Sequence, residues 1–243
     1  MKTSALLLLA LAGSVANAAV VYDASTQTGF RYNAGQAGTT SPADNRRTAF
    51  DDVNFSDAAV GANTAIEVTR VTVGIRRLAS VEATDVRISW ATLTPGPVAP
   101  DTELDLPASV IGTTSLAANG AASVTQLVSF GDGTTPIFIA PLSTIFTGFK
   151  SFAIGLNLSS TSGNQGWRIT NGPSANGNVF WQHDPFLTGQ PNPEAAFLFD
   201  GTNNPPNPPA TFYIIVEGNF VPTPGAAALL GLGGMIAGRR RRA

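Results

Sequence analysis

Three segments of the chain alternate apolar and polar residues with a period of two, the pattern of a β-strand that buries one face. They are VRISWATL (86–93), SFAIGLNLS (151–159) and TFYIIVEGNF (211–220). We predict that each forms a half-buried strand. The residues predicted to face the core are Val86, Ile88, Trp90, Phe152, Ile154, Leu156, Leu158, Phe212, Ile214 and Val216.

A fourth apolar segment, IEVTRVTVGI (66–75), changes phase in its middle. Its apolar residues occupy even positions up to Val68 and odd positions after it. One extra residue in a strand swaps the faces on which the later side chains lie. We therefore predict a β-bulge near Thr69 and Arg70.

Turn-forming residues separate these strands, and no segment between residues 19 and 220 keeps a helical period. The turn signals are TPGPVAP, GDGTTP, NGPSANGN and NNPPNPP. About ten to thirteen short strands with such turns predict an antiparallel β-sandwich, jelly-roll or immunoglobulin-like. Because the strand after NNPPNPP is apolar and needs a partner sheet, we predict one all-β domain over residues 19–220.

The N-terminus has the pattern of a secretory signal peptide. Lys2 supplies a positive charge, an apolar helical segment runs from residue 5 to 13, and Ala16-Asn17-Ala18 gives the small-x-small pattern that signal peptidase requires. We predict a signal helix over residues 1–18 and cleavage that leaves Ala19 as the first residue of an exported chain.

The C-terminus ends in an uncharged segment of 14 residues, Gly225 to Gly238, followed by an arginine cluster, Arg239, Arg240, Arg241 and Arg242. A stable membrane span needs about 20 apolar residues, so this short helix is a marginal anchor. The arginines would stay on the cytoplasmic side of a membrane. We predict a helix that contacts the membrane transiently and is then removed.

The last 23 residues resemble the PEP-CTERM sorting signal, the substrate of exosortase-type membrane enzymes. The resemblance rests on VPTPG, the apolar helix and the arginine cluster. It implies cleavage near Val221, Pro222, Thr223 and Pro224, and delivery to the surface or outside of a Gram-negative-type cell, where such proteins accompany exopolysaccharide and biofilm matrices. The sequence departs from the usual motif in one position, since Thr223 stands in place of glutamate.

Removal of both ends changes the charge of the chain. The full sequence has 14 basic and 16 acidic residues, and the predicted mature chain keeps 9 basic and 16 acidic residues, a net charge of −7. An acidic chain lacks the basic face that nucleic acid requires. The absence of cysteine excludes disulfides, thiolate metal sites and cysteine nucleophiles.

The sequence gives no catalytic residue. His183 is the one histidine, and its neighbour Asp184 would point to the opposite face of a strand, which rules out a Ser-His-Asp arrangement with that aspartate. The acidic residues of PDTELDLP (100–107) alternate on one strand, but a glycosidase needs two carboxylates facing each other across a cleft. We therefore predict that the protein is not an enzyme.

Calcium is the metal for which the sequence offers the most candidate ligands. FDDVNFSD (50–57) and DGTNN (200–204) carry the oxygen-bearing side chains that calcium prefers, but they lack the glycine and glutamate of an EF-hand. Because Asp and Asn also dominate turns, we predict neither a metal site nor a cofactor. The residues that would ligate calcium are Asp51, Asp52, Asn54 and Asp200.

Aromatic residues cluster between residues 167 and 186. Trp167, Trp181 and Phe186 are candidates for stacking on sugar rings, and the alternative is that the tryptophans fill the sandwich core. Two functions therefore remain, with solvent exposure of the tryptophans as the feature that separates them. The first is a secreted, non-catalytic surface or matrix protein, and the second is a carbohydrate-binding module. A secreted polysaccharide hydrolase is the third and weakest hypothesis.

Overall fold

The computed structural model describes residues 18–32, 48–95, 102–144, 147–159, 164–170, 179–183, 194–198 and 211–221. For residues 27–32, 95, 102–103, 105–107, 179–183 and 194–198 it describes the backbone alone. These segments contain fourteen strands and one helix of four residues. Within them no helix is long and apolar enough to cross a bilayer.

The strands are short, apart from three that exceed ten residues. In chain order, they are β1 (Ala19–Asp23), β2 (Gln27–Tyr32), β3 (Thr48–Ser56), β4 (Ala65–Arg77), β5 (Thr84–Pro95), β6 (Thr102–Leu116), β7 (Val124–Phe130), β8 (Phe138–Pro141), β9 (Phe149–Leu158), β10 (Gln165–Thr170), β11 (Val179–His183), β12 (Glu194–Leu198), β13 (Thr211–Phe212) and β14 (Ile214–Val221). The helix α1 (Asp57–Val60) follows β3 directly, and the hydroxyl of Ser56 caps its N-terminus by accepting a hydrogen bond from the Ala59 amide.

Two antiparallel sheets form the fold, as predicted. The first sheet has the order β1-β14-β4-β10-β13, with β2 paired to β10 and with β7 and β8 paired to β4. The second sheet has the order β12-β11-β3-β9-β5-β6. A single apolar core lies between them and takes side chains from both sheets, among them Val71 and Ile214 from the first and Ile88 and Ile154 from the second.

The residues predicted to face the core do so. Nine of the ten are fully buried, and Trp90 is partly buried and packs against the same core, with its ring stacked on Phe138 at a centroid distance of 5.1 Å. The strand count exceeds the predicted range because Tyr213 interrupts the last apolar segment, leaving β13 and β14 on either side.

Strand pairing is nested along the chain. The first strand pairs with the last, β1 with β14; β3 pairs with β9; β4 pairs with β7 and β8; and the hairpin β5–β6 lies innermost. Successive nested pairs alternate between the sheets, since β1–β14 and β4–β7 belong to the first sheet while β3–β9 and β5–β6 belong to the second. The nested ribbon is therefore folded over into two layers. Strands β10 to β13 extend the edges of this arrangement.

The predicted β-bulge in β4 is confirmed. Arg70 pairs with Glu217 and Val68 pairs with Gly218, so Thr69 is an extra residue without its own partner in β14. Its hydroxyl donates a hydrogen bond to the Glu217 carbonyl oxygen. The bulge keeps Val68 and Val71 in the core although they are three residues apart.

The bulge also sends Arg70 to the outer face of the first sheet. There its guanidinium binds the Glu217 carboxylate at 2.9 Å and donates hydrogen bonds to the carbonyl oxygens of Gly131 and Asp132. Gly131 has a φ of +93°, and a Cβ at this position would lie 2.0 Å from the Thr69 carbonyl oxygen. Only glycine allows the turn after β7 to pack against the bulge.

The prediction that residues 151–159 form a half-buried strand is wrong, because β9 is buried on both faces. Its outer face carries Ala153 and Gly155 beneath a second, smaller apolar cluster that includes Phe50 and Leu93. Phe50 is opposite Gly155 in register, and its ring occupies the space that a side chain on Gly155 would need. Because the residues on this outer face are small, the sequence shows no apolar pattern there, although the Phe50 ring covers the face.

We predict that Gly155→Ala destabilises the fold. The new methyl carbon would lie 2.4 Å from the Phe50 ring, and overpacking of this kind costs about 1 to 3 kcal/mol. Gly120→Ala is the matched control, since its new carbon meets nothing within 4 Å. Urea unfolding of both variants measures the difference, and equal stabilities would contradict the packing of Phe50 on Gly155.

Candidate functional site

A buried carboxylate joins the two sheets. Asp51 lies on β3, where the apolar residues Ala49 and Val53 on either side of it face the core. Strand periodicity places Asp51 on that same inner face. It is 1% exposed, so its carboxylate is removed from water and must find its hydrogen bonds within the protein.

Asp51 finds those partners on the opposite sheet. Its Oδ2 atom accepts a hydrogen bond of 2.7 Å from the Phe212 amide and a second, short one from the Thr211 hydroxyl. Its Oδ1 atom accepts a hydrogen bond of 3.0 Å from the Asp52 amide. Asp51 therefore fastens β13 of the first sheet to β3 of the second by polar contacts inside an apolar core.

Burial shifts the pKa values of Asp51 and Tyr22. It raises the pKa of Asp51, and the nearby charge of Asp52 raises it further, against the smaller lowering effect of the hydrogen bonds from Phe212 and Thr211. Burial also raises the pKa of Tyr22, followed by the charges of Asp51 and Asp52. Protonation of Asp51 thus relieves the cost of a buried charge.

The calcium candidates do not converge on one point. Asp52 and Asn54 lie on the outer face of the second sheet, opposite to Asp51, because alternate residues of a strand share a face. Asn54 donates to the Asp52 carboxylate and accepts from the Ser151 hydroxyl. Asp200 lies outside the described residues. In the described part of the chain, no three His, Asp or Glu residues gather as a metal site would require.

Trp167 is in the core. It is 0% exposed, its indole stacks on the Phe212 ring at a centroid distance of 4.2 Å, and its Nε1 atom donates a hydrogen bond to the Tyr213 carbonyl oxygen. An indole in this position offers no face to a sugar ring while the sheets stay packed.

Of the two other aromatic candidates, Trp181 lies in the described part of the chain and Phe186 does not. Trp181 lies on β11, opposite Phe50 of β3 and Ala196 of β12 in register, and nothing is described of its side chain. Phe186 lies outside the described residues. His183 ends β11 opposite Thr48, while Asp184 is again outside the described part.

Arg77 is a buried polar residue that the sequence analysis did not predict. It is 2% exposed and donates hydrogen bonds to the side-chain oxygens of Gln165 and Gln126 and to the carbonyl oxygens of Ala117 and Glu82. Burial lowers the pKa of this guanidinium. Arg77 thereby holds the loops at the end of β4 together. Arg77 lies two residues after the core residue Ile75 in an alternating strand, so the pattern of β4 could have indicated that the arginine side chain points inward.

The residues of the predicted processing signals border the fold. Ala18 is the first described residue, and Ala19 begins β1. Val221 is the last residue of β14 and pairs with Ala65. The remaining processing residues, Ala16, Pro222, Thr223, Pro224 and Arg239 to Arg242, are outside the described residues, as are the two predicted terminal helices.

Comparison of the chain with models of known families, with curated proteins and with solved structures finds no match.

We predict that the contribution of Asp51 to the free energy of unfolding falls as pH rises above the ordinary aspartate pKa of 3.8. In that range folded Asp51, with its raised pKa, binds more protons than unfolded Asp51, so stability present at low pH is lost as pH rises through the folded pKa. Urea unfolding of the wild type and Asp51→Asn at about pH 5 and about pH 8 tests this, because the amide cannot ionise. An equal pH dependence in both proteins would contradict it.

Asp51→Ala separates the hydrogen bonds of this residue from its charge. It leaves the buried amide of Phe212 and the hydroxyl of Thr211 without their partner, which should cost about 2 to 4 kcal/mol at any pH. Asp51→Asn keeps an acceptor at this position and should lose less.

Proposed function

We propose that the protein is exported, that its β-sandwich is a non-catalytic component of the cell surface or extracellular matrix, and that a PEP-CTERM-like tail sorts it there. In this proposal signal peptidase removes residues 1–18, and an exosortase-type enzyme removes the segment after Val221. The membrane contact of the C-terminal helix is transient. Association with exopolysaccharide or biofilm follows from the same resemblance.

One observation carries this proposal. Among the described residues, the first strand begins at Ala19 and the last strand reaches Val221, and these residues border the two predicted processing signals. Pro222 has no amide hydrogen to continue the ladder that Val221 makes with Ala65. All the strand pairing of the described residues therefore falls between the two predicted signals.

We further propose that the sandwich is of the jelly-roll type. The support is the nested pairing, in which β1-β14-β4-β7 lie side by side in one sheet and β3-β9-β5-β6 in the other. A doubly folded antiparallel ribbon produces this alternation of strands between two sheets.

The buried polar residues support a structural role. Asp51 and Arg77 direct their hydrogen bonds to atoms of the protein itself, and these bonds connect strands and loops. A buried carboxylate in a catalytic site would instead point into a cleft that a substrate could reach. We propose that Asp51 and Arg77 stabilise the sandwich.

The test of sorting is the C-terminal residue of the exported product. In a Gram-negative host that carries an exosortase-type enzyme, mass spectrometry should find a soluble chain beginning at Ala19 and ending near Val221. In the same host without the enzyme, the tail should remain and hold the protein in the membrane. Pro222→Ala should slow the removal, whereas Pro136→Ala, in an exposed turn, should not. A released product that keeps its arginine cluster would overturn the proposal.

The alternative function is carbohydrate binding. Trp181, which lies on β11, is the candidate residue at which we propose to test it. Since Trp167 is buried, any stacking on sugars falls to Trp181 and Phe186. If the alternative holds, gels that contain the host's exopolysaccharide should retard the exported product, and Trp181→Ala should abolish the retardation. Runs with calcium and with a chelator test whether a metal contributes. Unretarded migration in every gel leaves the structural role.

A further inference from the structure

The chain begins and ends its fold at the same end of the sandwich. Strand β1 runs antiparallel to β14, so Ala19 is opposite Gly218, three residues before the last strand ends. Val221 is opposite Ala65, the first residue of β4. Residues 57–64, which carry α1, and residues 141–144 and 147–148 turn at this same end. We call this surface the terminal pole.

Both predicted membrane-directed segments lie a short distance along the chain from the terminal pole. Gly225, where the apolar C-terminal segment begins, is four positions after Val221, and a fully extended chain of this length spans at most about 14 Å. Gly13, the end of the N-terminal apolar segment, is six positions before Ala19, which allows at most about 22 Å. Whatever conformation these links adopt, neither apolar segment can start far from this pole.

The turns of the terminal pole carry little charge and little bulk. Asp57 is the one charged residue among residues 57–64, where the exposed side chains include Ala58, Ala59 and Ala62. The nearby ammonium group of Lys150 is not free, since it donates hydrogen bonds to the carbonyl oxygens of Gly61 and Asn63. Small neutral side chains let a surface approach these turns without the loss of strong hydration.

We propose that the terminal pole rests on the lipid bilayer as long as either apolar segment is in place. The proposal builds on the proposed export and sorting, and it adds the orientation of the sandwich on the membrane. Strand β4 runs from this pole to the opposite end, and its 13 residues cover about 40 Å. The loops 78–83 and 117–123, which Arg77 holds together, therefore form a distal pole far from the bilayer.

The absence of cysteine makes this orientation measurable. Ala62→Cys on the terminal pole and Ala121→Cys on the distal pole each create a single thiol at an exposed alanine, and each takes the same environment-sensitive fluorophore. The full chain is reconstituted into vesicles of phosphatidylethanolamine and phosphatidylglycerol that contain a headgroup spin label. Ala58→Cys, also exposed on the terminal pole, is a second site in case the label at Ala62 disturbs the fold.

We expect strong quenching of the fluorophore at position 62 or 58 and none above background at position 121. Vesicle-bound protein with equal quenching at both poles, or with stronger quenching at position 121, overturns the orientation and leaves the sorting proposal intact. A chain that does not sediment with the vesicles overturns the orientation together with the membrane contact on which the sorting proposal depends.

Discussion

Strand β4 is hydrogen-bonded along both edges, and the rest of the sandwich is arranged around it. β14 and β10 occupy one edge in succession, and β8 and β7 occupy the other. A strand in such a position must keep its inner face apolar along the core, which here extends from Ile66 to Ile75. The bulge at Thr69 makes this possible, because it corrects the phase of the side chains where the pattern changes.

The same pairing places the start of β1 and the end of β14 at one end of the sandwich. Because β14 fits between β1 and β4, the last strand is central, and the first strand is held at its side. A nested ribbon has this property in general, since its outermost pair is formed by its first and last strands. The start of β1 and the end of β14 then lie at one end of the sandwich, which suits the export and sorting that we propose.

Burying polar side chains inside the sandwich costs free energy, because they lose their hydrogen bonds with water. Asp51 could not remain in an apolar core without the amide of Phe212 and the hydroxyl of Thr211, and its raised pKa reflects what burial still costs the charged form. Arg77 meets the same difficulty at the distal pole with four neutral oxygen acceptors. Each residue ties together segments that are distant along the chain, as loop 78–83 and loop 117–123 are. Polar contacts of this kind are directional, so they specify one arrangement of the sheets more sharply than apolar contacts do.

The sequence by itself determined the fold class, the core face of the regular strands and the bulge in β4, because the period of two and its change of phase are local properties of the chain. It also carries the patterns of charge and apolar length on which the two proposed terminal signals rest. Only the tertiary structure decided that Phe50 covers Gly155, that Trp167 stacks in the core, and that Asp51 is a link between sheets. Those outcomes depend on which strand lies across from which, and in two of them the residues that meet are more than a hundred positions apart. An aspartate that binds an ion and an aspartate that binds a backbone amide look the same in a sequence, since the difference lies entirely in the partner that the fold brings to it.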